Sequence, residues 1–248
     1  MSRRPSPPDV VLSLVGGFEL TVHGVTVDLA PASRRLLAYV ALQHRPAARG
    51  RISEALWADV DPRHAAASLR SCLWRLAPLR IVTSSATHIH LDPRVEVDVD
   101  QLALLASSPP VAPRATEDLV ALSLRLVRAG DDLLPGWDDD WVVLERERCR
   151  QACLRAMDLV GDELVDSGRS DDALRIALAA TAAEPLRESA HRVLVRAHLS
   201  QGNVAEAVRE YLRFAELLED ELGARPSATM RELLSPLVRP AVLAHASC

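Results

Sequence analysis

The chain has 248 residues, enough for two domains, with 48% apolar residues and no uncharged run of 18 that would make a membrane span. All 29 basic residues are arginine, which excludes a P-loop lysine and Schiff-base chemistry. The net charge of −5 is unevenly divided: residues 1–95 hold 12 Arg and 7 acids, for +5, and residues 96–248 hold 17 Arg and 27 acids, for −10. A basic front and an acidic back suggest one module for a polyanion and one for something else.

Residues 1–9 are basic and Pro-rich, with no apolar signal-peptide core after them, so they read as a disordered arm of a cytoplasmic protein. Apolar residues alternate over 10–29, VVLSLVGGFELTVHGVTVDL, broken at Gly16-Gly17 and at His23-Gly24. That pattern predicts a small antiparallel sheet. Pro31 then opens a helix with Leu36, Leu37, Val40 and Ala41 as its buried stripe, ended by His44-Arg45-Pro46. A second short helix, RISEALW at 51–57, turns Ile52, Leu56 and Trp57 inward, and 58–63 is a loop.

Residues 64–79, HAAASLRSCLWRLAPL, form the next helix. At ~100° per residue, Ala65, Leu69, Cys72, Leu73 and Leu76 share one side. His64, Ala67, Ser71, Trp74 and Arg75 lie opposite, with Ser68 and Arg70 on the flanks. No acid occurs from His64 to Ala86, so the outer side is short, hydroxylated and cationic, with one bare indole. Such a surface suits a polyanion, although an ordinary amphipathic helix with solvated arginines has the same pattern. IVTSSATHIHL at 81–91 then alternates around a Ser84-Ser85-Ala86 tip, giving two strands and a turn.

Sheet, three helices and hairpin make a winged helix-turn-helix: the third helix enters the major groove, the second props it, and the hairpin touches the backbone. A small α+β domain without nucleic acid is the alternative. On the first reading Arg70 and Arg75 contact phosphate or guanine, and Ser68, Ser71 and Trp74 face the groove floor. Arg34 or Arg35, at the start of the first helix, anchors backbone, as do the hydroxyls of Ser84, Ser85 and Thr87 from the wing.

The stretch 95–105, VEVDVDQLALL, alternates and then turns helical, as a last strand leading into the second domain. SSPPVAP at 107–113 is a loop, and only helical periods follow: a helix capped by Thr116-Glu117-Asp118, a loop at 130–140, and a long helix from Trp141 to Asp166. Gly168 and Gly202 are 34 residues apart, as are Ala173 and Ala207. Thirty-four residues is the tetratricopeptide period. Gly161, Ala180 and Pro185 fit the small-residue and proline positions of the first unit and Tyr211 fits the second; Phe214 and Glu219 depart from the pattern. The boundaries read from sequence are therefore an arm at 1–9, a DNA-binding domain at 10–95 and an all-α domain at 96–248. Asp138, Asp139 and Asp140 read as an N-terminal cap of the long helix in preference to an acidic activation patch.

Metal and enzyme chemistry find little support. Cys72, Cys149, Cys153 and Cys248 form no CxxC pair, and Cys149 with Cys153 gives two ligands at most, so core packing is the expected role. The His88/His90 and His191/His198 pairs have no GxSxG, HExxH or Gly-rich loop beside them. No cofactor or metal is expected.

Taken together, RRLLAYVAL, ASLRSCLWRL, VEVDVDQL, DDLLPGWDDDWVVLERER and the run from Gly168 to Ser227 ending in ELGARPS resemble the antibiotic-regulatory-protein (SARP-type) activators of actinomycetes. The resemblance implies an OmpR-type winged helix joined to a bacterial transcriptional activator domain of tetratricopeptide-like helices. It also implies homodimers on direct repeats in double-stranded DNA, recruitment of RNA polymerase, and a polymerase-facing role for the loop at 58–63. Trp74 and Ala77 depart from that family's recognition helix, and the wing lacks its usual basic tip. These departures support a second reading, a protein-binding scaffold whose winged helix has lost DNA.

Overall fold

The computed structural model describes residues 10–43, 45–107 and 133–235. The expected arm at 1–9, the helix expected at 116–128, and Cys248 lie outside the described residues. Two compact units emerge. Residues 10–104 and 133–150 form the first; 105–107 and 151–235 belong to the second. The first unit is thus discontinuous in sequence, whereas sequence patterning alone put one cut at residue 95.

The first unit opens with β1 (Val10–Ser13), β2 (Glu19–Val22) and β3 (Val25–Thr26), then α1 (Pro31–Leu42), β4 (Ala47–Ala48), α2 (Arg49–Leu56) and α3 (Pro62–Leu76). A 3-10 turn at Ala77–Leu79 leads to the hairpin β5 (Val82–Ser84) and β6 (His88–Leu91), and β7 (Val95–Val97) runs into α4 (Asp98–Ser107). Among the described residues the strands make two sheets, ordered β3-β2-β1-β7 and β4-β6-β5. This is the winged helix-turn-helix anticipated from the sequence.

Three details differ from expectation. First, the strand expected at 95–97 does run into a helix, but it belongs to the front sheet and not to the second domain, as the boundary at 95 had it: β7 pairs parallel to β1, with Val10 opposite Val95 and Leu12 opposite Val97. Asp98 locks that junction, because its carboxylate accepts from the backbone N–H of Leu14 (2.9 Å), Val15 (3.0 Å) and Val99 (2.8 Å). Burial pushes the Asp98 carboxyl up, against the pull of those donors. Second, the wing has a third strand, since Ala47 pairs with Ile89 and Ala48 with His88. Two alanines between helices carry no strand signal of their own. Third, Asp139 engages Arg35 of α1 in a salt bridge instead of capping the following helix with its side chain. An aromatic cluster explains why residues 133–150 join this unit. Trp137 stacks on Phe18 with centroids 6.2 Å apart, and Trp141 meets Tyr39 edge-on at 5.2 Å.

The helix α5 (Asp140–Asp166) gives its first residues to the first unit and the rest to the second. The second unit continues with α6 (Ser170–Ala183), α7 (Glu188–Ser200), α8 (Val204–Leu222) and the short α9 (Ala228–Glu232). The two turns of the 34-residue repeat are made alike. Gly168 and Gly202 both sit at φ +76°, a left-handed conformation that costs glycine little. Ala173 and Ala207 are fully buried at equivalent places on α6 and α8. At Gly161 a Cβ would come within 2.9 Å of Val193 Cγ1 on α7, so the absence of a side chain sets how closely α5 and α7 approach. The fold is a winged helix followed by an all-α, tetratricopeptide-like domain.

Two stability measurements follow. Gly161→Val overfills the α5–α7 contact and lowers unfolding free energy by about 1–3 kcal/mol, read by chemical denaturation; unchanged stability would show the contact to be slack. In α8, Glu210 accepts from His191 Nδ1 at 2.7 Å and pairs with Arg213 at 2.9 Å. The hydrogen bond from His191 holds the Glu210 carboxyl below its ordinary value of 4.5, against the effect of burial. A lowered carboxyl pKa stabilises the fold above the ordinary value, and this contribution is lost as pH falls through the lowered one. Glu210→Gln therefore lowers the melting temperature at pH 7, with the gap to wild type closing as pH is taken below 4.5; a gap independent of pH sinks the assignment.

Candidate nucleic-acid interface

The helix α3 begins two residues earlier than the sequence suggested. Asp61 caps it, its side chain accepting from the Arg63 N–H at 2.9 Å, and Pro62 occupies the first turn where no amide is needed. Ala65, Leu69, Cys72 and Leu76 turn inward and are buried. Leu73, expected inside, is half-buried. The Cys72 thiol lies against Ser33 of α1, and burial pushes its pKa up, so it behaves as a small core residue.

The opposite side of α3 is bare. His64, Ala67, Arg70, Ser71, Trp74 and Arg75 are exposed and Ser68 is half-buried. Among the described residues neither Arg70 nor Arg75 forms an ion pair, and both are exposed. The structure thus brings together on one surface the five residues singled out on this helix.

The other expected contacts are placed differently. Arg34 donates from Nε to the Leu29 carbonyl at 2.8 Å and pairs with Asp28, while Arg35 pairs with Asp139. Both therefore have partners within the protein that a phosphate would have to displace. The wing hydroxyls are exposed but engaged in shaping their own turn. Ser85 Oγ accepts from the His88 N–H at 2.9 Å, and Thr87 Oγ1 lies 2.9 Å from His88 Nδ1. Ser84 Oγ accepts from Arg49 Nη2 at 2.6 Å.

Arg49 is the residue that sequence reasoning missed. From the first position of α2 its Nε also donates to the Ser85 carbonyl at 3.0 Å, and its backbone N–H donates to the Thr87 carbonyl at 2.9 Å. It ties the wing tip to the helix that props α3. A faint signal was available: a cation in the first turn of a helix opposes the helix dipole, so an arginine there calls for a separate reason.

Among the described residues no group of three His, Cys, Asp or Glu side chains is arranged to hold an ion. Burial pushes the Cys153 thiol up to about 11, so in the folded protein it is a neutral core thiol. No helix among the described residues is long and apolar enough to cross a membrane.

Comparison with known proteins agrees with this architecture. Residues 114–237 match the family described as bacterial transcriptional activator domain. The regulatory protein AfsR of Streptomyces coelicolor is 31% identical over 82% of this chain and 22% of its own length. The AfsR of Streptomyces griseus is 27% identical over 90% of this chain and 23% of its own. The chain thus spans less than a quarter of these curated relatives. A solved structure of Mycobacterium tuberculosis EmbR, in complex with a low-affinity phosphopeptide, superposes with a TM-score of 0.70 at 19% identity. It covers 96% of this chain and 68% of that one, and shows the same fold.

Removing the Arg49 side chain is expected to loosen the wing without unfolding the domain. In Arg49→Ala, hydrogen exchange quickens at the amides of Thr87 and His88 while α1 and α3 keep their protection. Equal quickening everywhere would mean that Arg49 supports the whole domain and not the wing.

Proposed function

The chain belongs to the bacterial transcriptional activator domain family, and from that premise we propose that it is a SARP-type regulator that activates transcription by inserting α3 into the major groove of promoter DNA. The observation that carries this reading is the outer surface of α3: exposed, free of carboxylates, and bearing two arginines without acidic partners among the described residues. A duplex surrounds itself with condensed counterions, and arginines placed on it release them, which favours binding at low salt. Arg70 and Arg75 read guanine or hold phosphate, and Ser68 and Ser71 approach base edges. Residues 10–95 act as the DNA-binding module and the acidic helical domain contacts protein. Homodimers on direct repeats strengthen a single weak contact by raising effective concentration. The loop at 58–63, with Val60 exposed at its tip, faces RNA polymerase.

Arg34 and Arg35 are secondary phosphate contacts in this scheme, since each must first leave an acid. Ser84, Ser85 and Thr87 approach the backbone only as far as the turn they build allows. That wing, without a free cation at its tip, favours the rival scaffold reading, in which the helical repeats hold a peptide and DNA is not bound. A gel shift on the fragment upstream of the gene separates the two.

Arg75→Ala weakens that shift by about 1–3 kcal/mol if Arg75 reads a base, or lowers the log–log salt slope by about 0.9 if it holds one phosphate. Identical affinity of variant and wild type at two salt concentrations refutes the role of Arg75.

A further inference from the structure

Trp74 is 79% exposed, more than any other large apolar side chain among the described residues, and it is the one aromatic in that group. The other three tryptophans, Trp57, Trp137 and Trp141, are all at least half covered. Single exposed apolar residues are common and call for no explanation. A bare indole in the last turn of α3, on a helix face that otherwise offers only small and cationic groups, is less ordinary. One turn before it stand Arg70 and Ser71, and two turns before it Ala67, all exposed. The small neighbours leave the ring standing above the surface.

The chemistry of an indole is narrow: one N–H donor, no acceptor, and a broad apolar body. In the major groove each base edge offers a different pattern. Cytosine offers only a donor, which an indole cannot accept. Adenine offers an acceptor beside a donor, and that donor would go unmatched. Guanine offers two acceptors, which an arginine fork meets better. Thymine alone offers an acceptor, O4, beside a methyl group. A donor next to an apolar surface is the complement of that pair.

Resting on the DNA-binding reading above, we infer that Trp74 is a specificity-determining residue that selects thymine, its indole covering the C5-methyl and its Nε1–H directed at O4. Arg70 and Arg75, on either side of it, supply the attraction to the duplex, and Trp74 supplies the choice of base at one position of each half-site.

The test uses the full chain and a pool of randomised duplexes at low salt. Wild type selects sites with a fixed T·A pair at one position of the repeat, and Trp74→Ala selects sites in which that position alone is degenerate. Replacing that thymine by 2′-deoxyuridine removes only the methyl and weakens wild-type binding about four-fold. Trp74→Ala binds the two duplexes equally, and Trp74→Phe, which keeps an apolar ring, still distinguishes them. If wild type binds but is indifferent to deoxyuridine at every position, the inference is overturned while DNA binding stands. If wild type binds no duplex, the DNA-binding reading falls and this one with it. If Trp74→Ala turns a dimer into a monomer in sedimentation without DNA, the indole is a protein contact and the inference is wrong.

Discussion

The inner stripe of α3 governs what the first unit can present. Ala65, Leu69, Cys72 and Leu76 are each no more than 3% exposed, and they face a helix α1 whose residues from Leu36 to Leu42 are all buried. Burying a leucine is worth about 1.5–3 kcal/mol, so turning α3 about its axis would expose several such side chains at once. The helix is therefore fixed in rotation. Whatever lies opposite the stripe has to face outward, and here that is Ser71, Trp74 and Arg75, flanked by Arg70 and Ser68. A helix free to roll could not hold a side chain against one base.

The same residue type meets two fates in this unit, decided by where the acids lie. Arg34 and Arg35 find Asp28 and Asp139, and Arg49 finds the hydroxyl and carbonyl of the wing turn. Arg70 and Arg75 find no acid among the described residues. The difference is not in the arginines. It lies in what surrounds them: the stretch from His64 to Ala86 contains no carboxylate, and no acid from elsewhere among the described residues reaches Arg70 or Arg75. Arg49 has a supporting part. It fixes the shape of the wing.

The second unit is built on close approach and repeated turns. Gly161 admits Val193, Gly168 and Gly202 make equivalent left-handed turns, and His191 is held between the Pro185 carbonyl and Glu210 while stacking on Phe214 at 4.2 Å. Phe214, which departs from the repeat pattern, is thus accommodated by a flat imidazole packed against it. The residue that breaks the pattern is tied to one that the pattern left without a role.

The sequence by itself determined the order of elements, the inward and outward sides of α3, and the period of the helical repeat. These depend on local periodicity and on glycine, which act over a few residues. Only the tertiary structure decided that 95–97 closes the front sheet beside β1, that Ala47 and Ala48 complete the wing, and that Trp137, Asp139 and Trp141 belong with the first unit. It also decided which arginines have internal partners: Arg35 and Asp139 are 104 residues apart, and Arg49 and Ser84 are 35 apart. Periodicity shows which way a side chain points, but not what stands opposite it. That is set when distant segments bury their apolar faces together and bring their charges within reach.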